Sequence, residues 1–250
     1  MYVPEKVVTN ADLEKFMDTN DEWIQERTGI KERRYYDKDK DTVANMGVKA
    51  AKIALERANL KADDIDFIVF ATLSPDYFFP GSGVLVQKEL GIKEVGALDV
   101  RNQCSGFIYA LSVADNFIKT GMYSNILVIG SEIHSSGLDM STRGRNVSVI
   151  FGDGAGAAVL TSEEDSSKGI LTTNLHAQGE FAEELAVIHP GSSGQERLTV
   201  DMIKNAEIYP HMNGNFVFKH AVTRMPEAIV EALKKSGKST GALTIYITLR

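Results

Sequence analysis

Cys104 is the residue whose type and position suggest chemistry most directly, and it is the single cysteine of the chain. A strand-like stretch ends near Val100, and a helical stretch begins near Ser105. A thiol at a helix start meets unpaired backbone N–H groups and the positive end of the helix dipole, which lower its pKa. Because the thiolate is the reactive form, this setting predicts a nucleophilic cysteine on a sharp turn. A buried, inert cysteine is the alternative.

Two groups of cationic side chains could bind a nucleotide-like ligand. Trp23 and Arg27 are four residues apart, so they share one face of a predicted helix, where a ring and a cation could meet adenine and phosphate. The segment Arg143-Gly144-Arg145 gives a second local cation site. Spacing alone favours the plainer alternatives, which are a core tryptophan beside a solvated arginine and an ordinary solvated turn.

A resident cofactor or metal ion is not expected. The glycines of residues 152–156 have the spacing G-x-G-x-G, and a strand-like stretch follows them, whereas a dinucleotide-binding loop leads into a helix. The five histidines show no metal-binding spacing, and there is no cysteine pair. A histidine distant in sequence could still pair with Cys104 in space.

Strand-like and helical stretches alternate along the first part of the chain. Helices are predicted over residues 10–27, 43–59, 83–90, 105–119 and 215–235. Strands are predicted over residues 65–71, 95–100, 126–130, 155–160, 170–174 and 243–247. Thr19 and Glu22 fit a capping box, and Gly29 fits a helix end. The alternation predicts an α/β fold with a largely parallel sheet. A polar stretch near residue 162 suggests a first half over 1–162, then a linker and partial second half over 163–250.

Composition bounds the class of protein. The 250 residues carry 27 basic and 34 acidic side chains, a net charge of −7, and 43% are hydrophobic, as in an ordinary globular protein. An acidic chain repels nucleic-acid phosphates, so a nucleic-acid partner is not expected. Apolar runs stay well short of the ~18–20 residues of a membrane helix, and the start has no secretory signal pattern. One cysteine cannot form an intrachain disulfide, so we expect a cytoplasmic protein.

Four segments, taken in order, closely resemble β-ketoacyl-acyl-carrier-protein synthase III, the initiating condensing enzyme of type II fatty-acid synthesis. The segments are residues 9–33, 98–121, 142–160 and 213–227. The resemblance implies a thiolase-like fold with α-β-α-β-α layers, a second half that is incomplete here, and a homodimer. It further implies that Cys104 takes an acyl group from acyl-CoA. The acyl-enzyme then condenses with malonyl-acyl-carrier protein, releasing CO₂.

The same resemblance assigns substrate-binding roles to particular side chains. Lys219 matches part of a basic surface for the acidic carrier protein, which a local patch can provide on an acidic enzyme. Eight residues match positions around acyl-CoA: Thr19, Trp23 and Arg27 near the adenine and phosphates, Arg143 and Gly144 on the other side of the adenine, Asn215 and Phe218 along the pantetheine channel, and Phe79 at the end of the acyl pocket across the dimer.

The resemblance also predicts how complete the reaction would be. The family stabilises the enolate left by CO₂ loss with a His and an Asn, the first of which belongs to a Pro-His-Gln-Ala-Asn segment. Here Thr248 and Leu249 align with that proline and histidine, and Met1 aligns beyond the family's first strand, so we expect acyl loading with slow condensation. Two alternatives stay open: a related condensing enzyme with a CoA-ester acceptor, and a non-catalytic CoA-binding remnant.

Overall fold

The computed structural model describes residues 1–165, 167–194, 196–239 and 241. The helices are α1 (Asn10–Leu13), α2 (Asp21–Thr28), α3 (Val43–Ala58), α4 (Ser82–Leu90), α5 (Gly106–Lys119), α6 (Arg145–Ser148), α7 (Val200–Lys204) and α8 (Gly214–Lys235). The strands are β1 (Lys6–Thr9), β2 (Glu32–Tyr35), β3 (Phe67–Ala71), β4 (Gly96–Val100), β5 (Asn125–Glu132), β6 (Gly154–Thr161), β7 (Leu185–Ala186) and β8 (His211–Met212). Short 3-10 turns cover Ala62–Asp64, Gln103–Ser105, Ser135–Gly137, Thr142–Gly144 and Gly179–Glu184.

Two compact units make up the described residues, and their chain segments alternate along the sequence. The first unit contains residues 1–7, 34–133 and 152–173. The second unit contains residues 8–33, 134–151 and the described residues from Asn174 on. The halves predicted from the sequence, 1–162 and 163–250, stay a prediction.

A four-stranded sheet in the order β4-β3-β5-β6 forms the centre of the first unit. β3 pairs in parallel with β4 and with β5, so that Phe67 lies opposite Gly96 and Ile126. β6 pairs with β5 in the antiparallel direction. The α/β class is confirmed, but the sheet is mixed. The segment between β5 and β6 contains no long helix. A parallel β6 would need a crossover connection, usually a helix, that returns the chain to the amino end of β5.

Helices cover both faces of this sheet, which gives the first unit α-β-α layers. On one face, α3 and α4 bury Met46 and Val86 against Ile68 and Phe70 of β3. On the other face, α5 packs with Ala110 and neighbouring residues against alternate residues of β3 and β5. The alternation follows from the two-residue period of a strand, which sends successive side chains to opposite faces.

The predicted helix over 43–59 is confirmed, and its ends show why it begins and stops. The Thr42 hydroxyl accepts a hydrogen bond from the Asn45 N–H, and the Asn45 carboxamide oxygen accepts one from the Thr42 N–H. Asn59 ends the helix in the left-handed conformation, with φ of 54°.

The second unit differs from the sequence prediction in its first helical segment. The predicted helix over 10–27 is two helices, α1 and α2, separated by a turn. The capping box of Thr19 and Glu22 is wrong, because the Asn20 side chain accepts from the Trp23 N–H at 2.8 Å and caps α2. Gly29 ends α2 as predicted, with φ of 70°.

The later predictions have mixed outcomes. The helix over 215–235 is confirmed as α8, whereas residues 170–174 do not form a strand. The predicted strand over 243–247 lies outside the described residues. Among the described residues, no helix is both long enough and apolar enough to cross a membrane.

Candidate active site

Cys104 lies in a sharp turn at the carboxyl end of β4. It is the middle residue of the 3-10 turn Gln103–Ser105, and α5 begins immediately afterwards at Gly106. Gln103 has φ of 43°, a left-handed conformation that costs energy for a residue with a side chain. Strain beside the cysteine, at a strand-to-helix junction, is the geometry that presents a nucleophile.

Hydrogen bonds hold both sides of the turn. The Asn102 carboxamide donates to the Ser105 Oγ at 2.9 Å, and the Ser105 hydroxyl donates to the Asn102 carbonyl at 3.2 Å. A methyl group added at Gly106 would lie 3.4 Å from the Cβ of Ala71, so the start of α5 packs closely on the end of β3. The turn is therefore fixed to the sheet, while the Cys104 residue is exposed.

The Cys104 thiol has a pKa above its ordinary value, which is opposite to the direction predicted from the helix start. Desolvation by the surrounding atoms is the largest cause, and the negative charge of Glu132 acts in the same direction. A backbone N–H hydrogen bond at the turn lowers the pKa, as predicted, but it is outweighed. The prediction failed because the sequence did not show how far the surrounding atoms would desolvate the thiol, with the negative charge of Glu132 from β5 adding to that effect.

Phe79 also belongs to the first unit and is the most exposed side chain of an aromatic loop. Tyr77, Phe78 and Phe79 are 57%, 72% and 82% exposed. Acidic side chains hold the ends of this loop: Asp76 accepts from the Ser82 hydroxyl at 2.9 Å, and Asp99 of β4 accepts from the Ser82 N–H at 2.6 Å. The role of Phe79 in an acyl pocket stays a prediction.

Trp23 is the centre of a cation cluster in the second unit. The guanidinium of Arg27 lies 4.6 Å from the centre of the Trp23 ring, and that of Arg145 lies 5.1 Å from it. The pairing of Trp23 with Arg27 follows from their spacing on α2. Arg145 also donates to the Asp18 carbonyl at 2.5 Å, which keeps it beside the start of α2. This arrangement of ring and cations can receive a purine and phosphate groups.

Arg143 pairs with Asp139, and its predicted role beside the adenine stays a prediction. Its Nε donates to the Asp139 carboxylate at 2.6 Å, and it is Arg145 that reaches Trp23. Burial opposes ionisation of Asp139, but hydrogen bonds from Ser141 and Arg143 keep its pKa below the ordinary value. The sequence pointed to both arginines, and only the structure shows that Arg145 lies at the Trp23 ring.

Gly144 is buried because the chain folds tightly onto it. A Cβ at this position would lie 2.0 Å from the Asp139 carbonyl oxygen, so even a methyl group has no room. The structure therefore supports a packing role for Gly144, and its contact with CoA stays a prediction.

Four further predicted residues lie in the second unit. The Thr19 Oγ1 is buried and has no hydrogen-bond partner within the described part of the chain. Asn215 is exposed at the start of α8, and Phe218 is 69% exposed one turn later. Lys219 is exposed beside it. Asn215, Phe218 and Lys219 are thus accessible, whereas the Thr19 hydroxyl is buried, and the roles of all four residues stay predictions.

Metal chemistry has no visible site in the residues that the structure describes. No group of three or more His, Cys, Asp or Glu side chains among them could hold a metal ion.

Glu132 is the residue near Cys104 that sequence reasoning missed. It ends β5, a strand predicted from its continuous apolar run, and its carboxylate acts on the thiol. A carboxylate at the carboxyl end of a buried parallel strand was the available signal, because such ends meet at one edge of the sheet.

Comparisons with known proteins agree with this fold. The family model described as 3-Oxoacyl-[acyl-carrier-protein (ACP)] synthase III matches residues 98–179. A crystal structure of 3-oxoacyl-[acyl-carrier-protein] synthase III from Aquifex aeolicus has a TM-score of 0.86 and 43% identity, covering 98% of this chain and 72% of that one. The fold is thus that of the thiolase-like condensing enzymes.

Relatives narrow the class to one family. Beta-ketoacyl-[acyl-carrier-protein] synthase III 1 of Vibrio vulnificus is 45% identical over 236 residues, which cover 94% of this chain and 70% of the relative. Beta-ketoacyl-[acyl-carrier-protein] synthase III of a Sulfurovum species is 41% identical over 247 residues, covering 98% of this chain and 71% of the relative. The chain belongs to the β-ketoacyl-[acyl-carrier-protein] synthase III family.

Proposed function

We propose that the chain is a 3-oxoacyl-[acyl-carrier-protein] synthase III that loads an acyl group from acyl-CoA onto Cys104 and passes it to malonyl-acyl-carrier protein. The observation that carries the assignment of Cys104 is its exposed position next to the left-handed residue Gln103, at the strand-to-helix junction. Family membership supports the reaction class.

The loading step is a thioester exchange. The Cys104 sulfur attacks the thioester carbon of acyl-CoA, and the S–C bond to Cys104 forms while the S–C bond to CoA breaks. The proton of the Cys104 thiol ends on the CoA sulfur, so atoms and charge balance. The electron pair of a thiolate is required for attack, so loading accelerates as the thiol deprotonates.

Recognition of the CoA portion is assigned to the second unit. Trp23 offers a flat ring for the adenine, and Arg27 and Arg145 offer positive charge for the phosphates. The buried Thr19 hydroxyl, which has no hydrogen-bond partner within the described residues, provides a further polar group for a ligand. Asn215 and Phe218 are proposed to contact the pantetheine arm, and Lys219 to contribute to the surface that receives the carrier protein.

An intact-mass spectrum after incubation with acetyl-CoA tests the proposal, with Cys104→Ser as the matched control. We expect an acetyl adduct on the parent and none on the variant. Adding malonyl-acyl-carrier protein to the acetylated protein then tests condensation, which should remove the acetyl group. Binding of acyl-CoA to a folded parent without any adduct would contradict the proposal and favour a CoA-binding protein without catalysis. Discharge by a CoA ester, but not by the carrier protein, would indicate a different acceptor.

A homodimer is proposed on the basis of the exposed edge of the first unit's sheet. β4 is the end strand of that sheet, and Leu98 on it is 38% exposed. Phe78 and Phe79 add strongly exposed aromatic surface to the same unit. Open strand edges and exposed apolar surface favour pairing with another chain, and a second copy of this chain is the proposed partner. Light scattering after size-exclusion chromatography should give twice the chain mass, and Leu98→Lys should reduce it.

Acyl-CoA is proposed as a substrate, and no resident cofactor or metal is proposed. A thioester exchange and a decarboxylative condensation need only the nucleophile and hydrogen-bond donors. The cytoplasm is the proposed location, because a free, exposed cysteine is kept reduced there. A thiol titration on protein purified without reductant is expected to find one free thiol per chain.

A further inference from the structure

The carboxylate of Glu132 ties together the ends of neighbouring strands in the first unit. It accepts from the Leu73 N–H at 2.9 Å, from the Ser74 hydroxyl at 2.5 Å and from the Thr72 hydroxyl at 3.2 Å. The Ser74 Oγ in turn accepts from the Ile133 N–H at 2.9 Å. Glu132 thus fastens the end of β5 to the residues that follow β3, and charge-assisted hydrogen bonds of this kind are the stronger ones.

The same residues reach the strand that carries the cysteine. The Thr72 N–H donates to the Val100 carbonyl at 3.2 Å, and Val100 is the last residue of β4. Four residues later the chain reaches Cys104, and the start of α5 packs on Ala71. A change at Glu132 can therefore be transmitted through Thr72 to the base of the Cys104 turn.

Other charged groups around the turn are directed elsewhere. Asp99 of β4 accepts from the Ser82 and Gly83 N–H groups at the start of α4, and Asp115 pairs with Lys119 near the far end of α5. Arg101 is exposed. Among the described residues, Glu132 supplies the charge interaction that acts on the thiol.

We propose that Glu132 is a positioning residue for the Cys104 nucleophile, which it serves by fixing the residues after β3 to the ends of β4 and β5. The proposal rests on the proposed function, since it assigns Glu132 a part in acyl loading. Glu132 is not placed as a general base, because its two oxygens already accept three hydrogen bonds.

The consequence for the resting enzyme is a cysteine held as the thiol. A carboxylate nearby disfavours a second negative charge, so the thiolate forms at a higher pH than it would without Glu132. A protonated cysteine is less open to oxidation and alkylation when no acyl donor is bound, since both reactions use the thiolate.

Glu132→Gln tests the charge, because glutamine keeps the shape of the side chain. The rate of iodoacetamide alkylation of Cys104 is followed against pH by intact mass, with no acyl donor present. We expect the midpoint of the profile to fall in the variant, because the carboxylate charge that opposes the thiolate is removed while the desolvation remains. The rate at pH 7 should rise by less than the fall in pKa alone would give, because a thiolate of lower pKa is also a weaker nucleophile. Glu56→Gln, at an exposed position on α3, is the matched control and should follow the parent.

Glu132→Asp tests the connection between strands, because it keeps the charge and shortens the side chain. We expect its alkylation midpoint to stay close to that of the parent, because the negative charge is kept. Its acetyl loading should fall about tenfold, because the carboxylate can no longer reach all three donors. Circular dichroism and thermal melting establish that each variant is folded.

Two results would overturn the proposal: coincident alkylation profiles for Glu132→Gln and the parent, or parental acetyl loading in Glu132→Asp. Failure of the proposed function has a different signature. The parent would then show no acetyl adduct with acetyl-CoA, while the alkylation profiles would still report whether Glu132 acts on Cys104.

Discussion

The helices α3 and α8 are both long and amphipathic, but their surroundings are opposite. Eight residues of α3 are buried, and this helix packs on the sheet of the first unit. α8 has no buried residue, and Phe218, Val222 and Val230 on it are 69%, 53% and 57% exposed. The periodicity that makes each segment a helix is the same in kind. What differs is whether a sheet face lies against the apolar side.

This difference corresponds to two different proposed roles, one in each unit. The proposed nucleophile is held by strand ends and a packed helix, which fix an atom closely. The proposed CoA-binding residues lie on the short helix α2, a tight turn and an exposed helix, which leaves their side chains open to a ligand. We therefore expect substitutions in the first unit to affect stability strongly, and those on the exposed faces of the second unit to affect mainly binding.

Phe70→Ala against Phe218→Ala is the strongest test of the comparison. Phe70 is fully buried between α3 and the sheet, so its removal leaves a cavity and should lower the free energy of unfolding by about 3–5 kcal/mol. Phe218→Ala removes an exposed ring and should change it by less than about 0.5 kcal/mol. Guanidinium unfolding followed by circular dichroism measures both. Equal losses would show that α8 is packed in solution.

Gly144→Ala tests a tightly packed position in the second unit. The added Cβ meets the Asp139 carbonyl oxygen, so the turn must shift, and the free energy of unfolding should fall by about 1–3 kcal/mol. Gly137→Ala is the control, because no atom lies within 4 Å of a Cβ built there. A loss at Gly137 equal to that at Gly144 would contradict the packing explanation.

Arg145→Ala against Arg143→Ala separates the two arginines in ligand binding. Arg145 stacks on Trp23, so its removal should weaken binding of acyl-CoA about 2- to 30-fold, the range of cation–π energies converted to affinity. Arg143→Ala should stay within about twofold. Trp23 is the single tryptophan of the chain, so its fluorescence reports binding at the site itself. A larger effect from Arg143→Ala would reverse the assignment.

Arg143→Ala has the smallest expected effect on the free energy of unfolding, and this effect is seen in how stability changes as the pH falls. The pKa of Asp139 is lowered in the folded state, so Asp139 contributes stability above its ordinary pKa, and this stability is lost as the pH falls through the folded value. Removing Arg143 moves the pKa of Asp139 in the folded state towards the ordinary value, so less stability is lost as the pH falls. The effect at pH 7 should be below about 1 kcal/mol, because the Arg143 side chain is 59% exposed. Unfolding curves at pH 7 and pH 3 measure it, and an unchanged difference between them would contradict the assignment.

Several elements could be predicted because their signals are local. The helix α3 has a capping threonine, an apolar stripe and a left-handed asparagine within one stretch of sequence. The strands β3 and β5 have continuous apolar runs bounded by polar residues. The helix over 10–27 was wrong because periodicity continued across a turn, where Asn20 starts a new helix with its own cap.

The sequence by itself determined the helices α3, α4 and α5 and the strands β3 to β6 of the first unit, the strand-to-helix turn that carries Cys104, and the pairing of Trp23 with Arg27. Each of these depends on residues within a few positions of one another, where backbone geometry fixes the neighbours. Tertiary structure alone decided that β6 runs antiparallel, that Arg145 reaches Trp23, and that desolvation, together with the charge of Glu132, raises the pKa of Cys104. Those contacts join residues far apart in the chain, so they depend on how the elements pack, which no local pattern records.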